Sequence, residues 1–192
     1  DHRYVHSFPT RRSSDLLAVA VGRTLEDFGV LVAEAGTGTG KTFAYLLPAL
    51  LSGRRVLIST GTKTLQDQLF HRDLPAVTAA IGAPARTALL KGRSNYLCRQ
   101  RLAVTAEQGL FDSRERLREL TAVRAWAGVT KSGDIGELDT VAENSSLWPQ
   151  VTSTQDNCLG TECPEYGRCF VLEARRAVQE ADVVVVDRKS VV

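Results

Sequence analysis

The sequence predicts an α/β fold: a parallel sheet flanked by helices, interrupted before its last strand by a helical, cysteine-bearing insertion. Three observations predict it. Short apolar, β-branched runs alternate with helix-like stretches, the pattern of βαβ units. A run rich in glycine and threonine stands at a strand-to-helix junction. The alternation stops between Cys98 and Cys169 and resumes only at "DVVVV".

Taken in order, "FGVLVAEA" is an apolar run ending in small residues, which predicts a buried strand. "KTFAYLLPALLSG" predicts a helix that Pro48 distorts and Gly53 stops. "RRVLIST" is the next strand, and "TKTLQDQLFHRDLPAV" predicts a helix with Leu65, Leu69 and Phe70 on one face, limited by Pro75. "RTALLKG" is a third strand. Within the insertion, "SRERLRELTAVRAWAG" predicts an amphipathic helix through Leu117, Leu120 and Val123 or Arg124, and the polar "TKSGDIGELDTVAENSS" a loop. The last strand, "DVVVV", is apolar throughout, as a strand covered on both faces should be.

At 192 residues the chain can bury one sizeable core. No apolar run approaches the roughly 20 residues that cross a bilayer, so no membrane partner is expected. The net charge of +2 neither requires nor excludes nucleic acid, although arginine greatly outnumbers lysine. The absence of methionine anywhere in the chain reads as the mark of a fragment.

Ala35-Gly36-Thr37-Gly38-Thr39-Gly40-Lys41-Thr42 follows a predicted strand and opens a predicted helix, the context that a phosphate-binding loop needs. Glycines let successive backbone N–H groups turn toward anionic oxygens, and the helix N-terminus adds partial positive charge. Lys41 is placed to reach the β- and γ-phosphates and Thr42 to offer its hydroxyl to Mg²⁺. Ala35 stands where the pattern has its first glycine, a change that ordinary negative φ tolerates. The cofactors read from this loop are ATP and Mg²⁺, with Lys41 and Thr42 as its catalytic side chains.

The four cysteines, Cys98, Cys158, Cys163 and Cys169, are not spaced as the paired thiols of common zinc sites. Four thiolates suit either Zn²⁺ or a [4Fe–4S] cluster, and the wide gaps favour the bulkier group somewhat. Unrelated buried cysteines are the third alternative. Spacing alone leaves the three open.

Together, "VLVAEAGTGTGKTFAYLLPAL", "VLISTGTKTLQDQL", "LLKGRSNYLCRQRL" and "CLGTECPEYGRCFVLEARRAVQEADVVVV", in this order, resemble the DinG/YoaA/XPD-type iron–sulfur helicases of superfamily 2, and among them the bacterial DinG and YoaA branch. The resemblance runs from about Leu17 to Val186. It implies a RecA-like P-loop domain, incomplete here, with Cys98, Cys158, Cys163 and Cys169 holding a [4Fe–4S] cluster in an insertion. By this resemblance residues 16–92 are the first part of RecA-like domain 1, 93–172 the cluster insertion, and 173–186 a return helix and strand. It further implies an ATP-driven motor of 5′ to 3′ polarity acting on single-stranded and forked or duplex DNA in repair or replication, in the bacterial cytoplasm at the nucleoid. A zinc-bearing P-loop switch and a non-enzymatic DNA-binding module are the rival readings.

Thr60, Gly61, Thr62 and Gln66 lie at a strand end and on the next helix, where hydroxyls, an amide and backbone N–H groups can hold phosphates without reading bases. Helix capping explains the same residues structurally. The resemblance to the family's single-strand contact motif favours DNA. Arg93, Tyr96, Arg99 and Arg101 surround Cys98 with cations and one ring, a path for single-stranded DNA. Asp187 has the look of a Mg²⁺-binding acidic residue after a strand, but the family places its acidic DEAH-type motif later, so Asp187 is not assigned to the metal. Residues 1–15 and 187–192 fall outside the resemblance and read as non-native tails. Without the acidic motif and a second RecA-like domain, these residues are expected to hydrolyse little ATP and to leave apolar sheet surface exposed.

Overall fold

The computed structural model describes residues 3–7, 11–36, 38–82, 84–109 and 113–187. The chain divides into two compact units, Asp1–Leu89 with Glu180–Val192, and Leu90–Gln179.

The first unit is α/β. Strand β1 (Arg3–Ser7) is followed by α1 (Arg11–Glu26), β2 (Val30–Glu34), α2 (Lys41–Leu51), β3 (Val56–Thr60), α3 (Lys63–Gln68), α4 (Leu74–Ile81) and β4 (Thr87–Leu90). After the second unit the chain returns as β5 (Val183–Asp187). Strand β5 lies between β3 and β4, and its pairing with β3 is parallel, Val56 opposite Val183 through Thr60 opposite Asp187. All of β5 is buried, as its unbroken valines require. Leu46, Leu69, Leu74 and Val77 from the helices close over Val183 and Val185, each contributing about 1.5–3 kcal/mol of burial.

Three expectations are corrected here. Strand β2 forms, but it pairs in parallel with β1 as a separate two-stranded sheet and does not join β3-β5-β4. It is therefore not buried: Val30 and Val32 are 64% and 52% exposed. Helix α2 carries Pro48 inside it and gives way to the left-handed Gly53 (φ 63°), the stop anticipated for it. Pro75, by contrast, does not end its helix. It brings no N–H to the carbonyl one turn back, and the chain widens into a π-helical stretch, Leu69–Asp73, before continuing as α4. The buried face of this long helix is set by Gln66, Leu69, Asp73, Leu74 and Val77, and Leu65 is on the exposed side.

The second unit is helical: α5 (Arg99–Gln108), α6 (Arg114–Ala127), the short α7 (Trp148–Val151) and α8 (Phe170–Glu180). Its core gathers Leu97, Leu102, Leu120, Val123, Leu147, Trp148, Val151 and Phe170. Helix α6 starts at a Ser113 cap whose hydroxyl accepts from Arg116 N at 3.2 Å, and it buries Leu120, Val123 and Ala127, leaving Leu117 exposed. The polar stretch after it is irregular, as expected. A buried ion pair, Lys91 Nζ to Asp134 Oδ2 at 2.6 Å, fastens that stretch to the segment before Cys98.

Candidate functional site

The glycine-rich loop joins β2 to α2, the strand-to-helix placement anticipated for it. Gly38 (φ 75°) and Gly40 (φ 78°) adopt left-handed conformations, which a side chain would strain; Gly40 is the N-cap of α2. Among the described non-glycine residues only Phe28 has positive φ, so Ala35 fits without strain. Thr37 lies outside the described residues. Lys41 folds back over the loop: its ammonium donates to the carbonyls of Ala35 and Gly36, and Thr39 Oγ1 donates to Gly36 O at 2.9 Å. A cation held among carbonyls at a helix N-terminus is what an incoming polyphosphate can recruit. Tyr45, one turn beyond Thr42, shares a hydrogen bond with it. Burial raises the Tyr45 phenol above its ordinary value, the Thr42 bond opposes this, and buried Asp73 adds to it.

In the second unit the four cysteines line a single cavity of about 240 Å³. All are free and half-buried. Cys98 is the N-cap of α5, and its backbone N–H donates to Val151 O at 2.8 Å. Burial pushes the Cys98 thiol up, against the N–H groups of Arg101 and Gln100 that favour its thiolate. Cys163 and Cys169 each end a single 3-10 turn, Gly160–Glu162 and Tyr166–Arg168, with N–H bonds of 3.3 Å back to Gly160 and Tyr166. Cys158 Sγ accepts from Arg93 Nη1 at 3.0 Å and from Gly160 N at 3.4 Å. Arg99 and Arg101 line the same cavity, and each carries a buried Nε–H without an acceptor among the described residues. The sulfurs surround a space: among the described residues no three His, Cys, Asp or Glu side chains converge as ligands of a single ion would.

Residues 18–132 match the DEAD/DEAH box helicase family. The chain belongs to that family. It is similar to the ATP-dependent DNA helicase YoaA of Haemophilus influenzae and that of Escherichia coli, each 50% identical over 183 residues. Both matches take in 95% of this chain and 29% of the relative. It is also similar to the ATP-dependent helicase DinG of Mycobacterium tuberculosis, 40% identical over 197 residues, 91% of this chain and 30% of that relative. The chain thus spans under a third of the length of these relatives.

In this helicase-family chain the residues anticipated to touch DNA are dispersed by the structure into different settings. Thr60 ends β3, and Gly61 and Thr62 form an exposed bend after it. Thr62 Oγ1 caps α3 by accepting from Leu65 N at 3.2 Å, and Thr60 Oγ1 donates to Thr62 O at 3.3 Å. Gln66 is fully buried, its Nε2 donating to Val185 O at 3.4 Å. It therefore ties α3 to β5 and does not offer its amide to a strand of DNA. Tyr96 is buried too, its hydroxyl accepting from Lys91 N at 3.0 Å, so it presents no stacking surface. Arg93 is turned to Cys158, as given above. Arg99 Nη1 donates to Ala127 O and Arg101 Nη2 to Pro149 O, both at 3.2 Å. Sequence reasoning did not foresee the Lys91–Asp134 pair or the contact of Arg99 with Phe170, because each joins residues far apart in the chain.

Proposed function

We propose that this chain is the nucleotide-binding and cluster-bearing part of RecA-like domain 1 of an ATP-dependent 5′ to 3′ DNA helicase. What carries the reading is the occurrence, in one DEAD/DEAH-family chain, of a strand–glycine loop–helix with an inward lysine and of four free cysteines lining one cavity. The backbone of Ala35–Gly40, with Thr37 and Thr39, holds the phosphates of ATP. Lys41 leaves its carbonyls for the β- and γ-phosphates, and the Thr42 hydroxyl, steadied by Tyr45, faces Mg²⁺. Single-stranded DNA is held by its backbone along Thr60, Gly61 and Thr62 and so without regard to sequence. Alternating grip and release on that strand, driven by closure of a second RecA-like domain, moves the motor along single-stranded, forked or duplex DNA in bacterial repair or replication.

The cavity chemistry fits a [4Fe–4S] group. The four sulfurs line a common space, and the cations of Arg93 and Arg101 beside it suit an anionic, sulfur-rich occupant. Cys98, Cys158, Cys163 and Cys169 would hold it, and the bound cluster would supply a covalent cross-link between α5 and the turns before α8. Residues 93–172 then form the cluster insertion, and 16–92 with 173–186 the motor domain proper.

The test is binding of a fluorescent ATP analogue with Mg²⁺ to the chain and to Lys41→Ala. A loss of about tenfold or more is expected, since a hydrogen bond to a charged group is worth about 1.5–3 kcal/mol. Equal binding by the two proteins would refute the assignment of the loop.

A further inference from the structure

Cys98 and Cys169 are far apart in sequence, and the residues beside them are in contact. Arg99 opens α5 directly after Cys98, and Phe170 opens α8 directly after Cys169. The Arg99 guanidinium carbon lies over the Phe170 ring, 4.5 Å from its centroid. Phe170 is buried and packs so closely on Gly133 that a Cβ there would stand 2.3 Å from Phe170 Cγ. The Gly133 carbonyl in turn accepts from Leu97 N at 2.8 Å, on the other side of Cys98. Both chain neighbours of Cys98 are thus tied to the residue after Cys169. The next residue after Gly133, Asp134, is bridged to Tyr96 and paired with Lys91, which fixes the loop that carries the contact.

We propose that Phe170 is a positioning residue that sets Cys98 relative to Cys169 before a cluster enters, so that the cavity retains its iron. This rests on the cluster reading above. Two thiols held by a folded core lose little freedom when they become ligands, and partners one shell out orient ligands in this way. Arg99 serves Phe170 from the ring face. Its Nη1 donates to Ala127 O at 3.2 Å, which holds the guanidinium in that place.

The experiment follows transfer of iron to a ferrous chelator from the whole chain, loaded anaerobically with iron and sulfide, well below its melting temperature. Wild type is compared with Phe170→Leu, Arg99→Leu, Arg99→Lys and, as a control, Leu120→Ala, which thins the same core without lining the cavity. Phe170→Leu and Arg99→Leu are expected to release iron about tenfold faster, the lower end of what lost outer partners cost metal sites. Arg99→Lys, which keeps a cation over the ring, is expected to stay near wild type, as is Leu120→Ala. Release at the wild-type rate from both Phe170→Leu and Arg99→Leu, or equal acceleration in Leu120→Ala, overturns the positioning role and leaves the cluster reading intact. If Phe170→Leu does not fold, Arg99→Leu against Arg99→Lys decides alone. Failure of wild type to take up iron and sulfide overturns both.

Discussion

Gly133 shows how much one position can carry. Its φ of 65° is left-handed, and the space where a Cβ would stand is filled by the Phe170 ring. Gly133→Ala therefore meets backbone strain and overlap at once, and destabilisation by more than about 2 kcal/mol is expected, read as a lowered urea midpoint of the helical unit. The left-handed glycines of the β2–α2 loop were legible in the sequence because their setting is local: the turn, the lysine and the helix that follows are contiguous. Gly133 was not, because its neighbour lies across the core. The burial of Gln66 was not legible for a related reason. A polar residue beside threonines looks like a surface contact, but the helix phase puts it inside against Val185, and the amide satisfies a buried backbone carbonyl there. Gln66→Leu is expected to weaken the α/β unit by about 1 kcal/mol by removing that bond, with little change in affinity for single-stranded DNA; a large loss of DNA binding with unchanged stability would return Gln66 to the surface role.

Elements whose apolar pattern matches their burial were legible: β5, all valine and then Asp187, and α6 through Leu120 and Val123. Those that depend on partners elsewhere were not. The apolar run of β2 promised a buried strand, and among the described residues its strand neighbour is β1 alone. Pro75 was read as the limit of its helix, while a π-helical stretch before it lets the helix continue. A clasp at the start of β5 provides a test at this scale. Asp182 accepts from Arg86 N, Nε and Nη2 at 2.9, 3.3 and 3.1 Å. These bonds, side chain first, hold its carboxyl below the ordinary carboxylate value. The folded pKa being depressed, the stabilisation is complete above the unfolded value and is lost as pH falls through the folded one. Both groups are exposed, so the effect is small. Asp182→Asn is expected to flatten the decline of the denaturation midpoint below about pH 4, and an unchanged acid limb would show that the clasp carries no such linkage.

Across the whole molecule, apolar side chains stand out in the α/β unit: Phe28 is 83% exposed with Arg54 over its ring, and Val30, Val32, Leu51 and Leu57 are each more than half exposed. So many large exposed apolar side chains favour association. Light scattering is expected to show concentration-dependent self-association that Val30→Thr with Val32→Thr reduces; a monodisperse monomer at high concentration would contradict this. The fold class was legible because strand and helix runs alternate along the sequence, whereas the separate β1-β2 sheet and the Phe170 contacts depend on distant partners. Of the two chemistries proposed for this chain, a phosphate loop and a four-thiolate cluster, the cluster is the one that a zinc-bearing switch or a plain DNA-binding module would lack. The most direct measurement is iron, sulfide and zinc per chain after anaerobic purification, for the chain and Cys163→Ser. About four iron and four sulfide per chain, lost in the variant, is the expected result; about one zinc and no sulfide, with reconstitution by iron also failing, would contradict it.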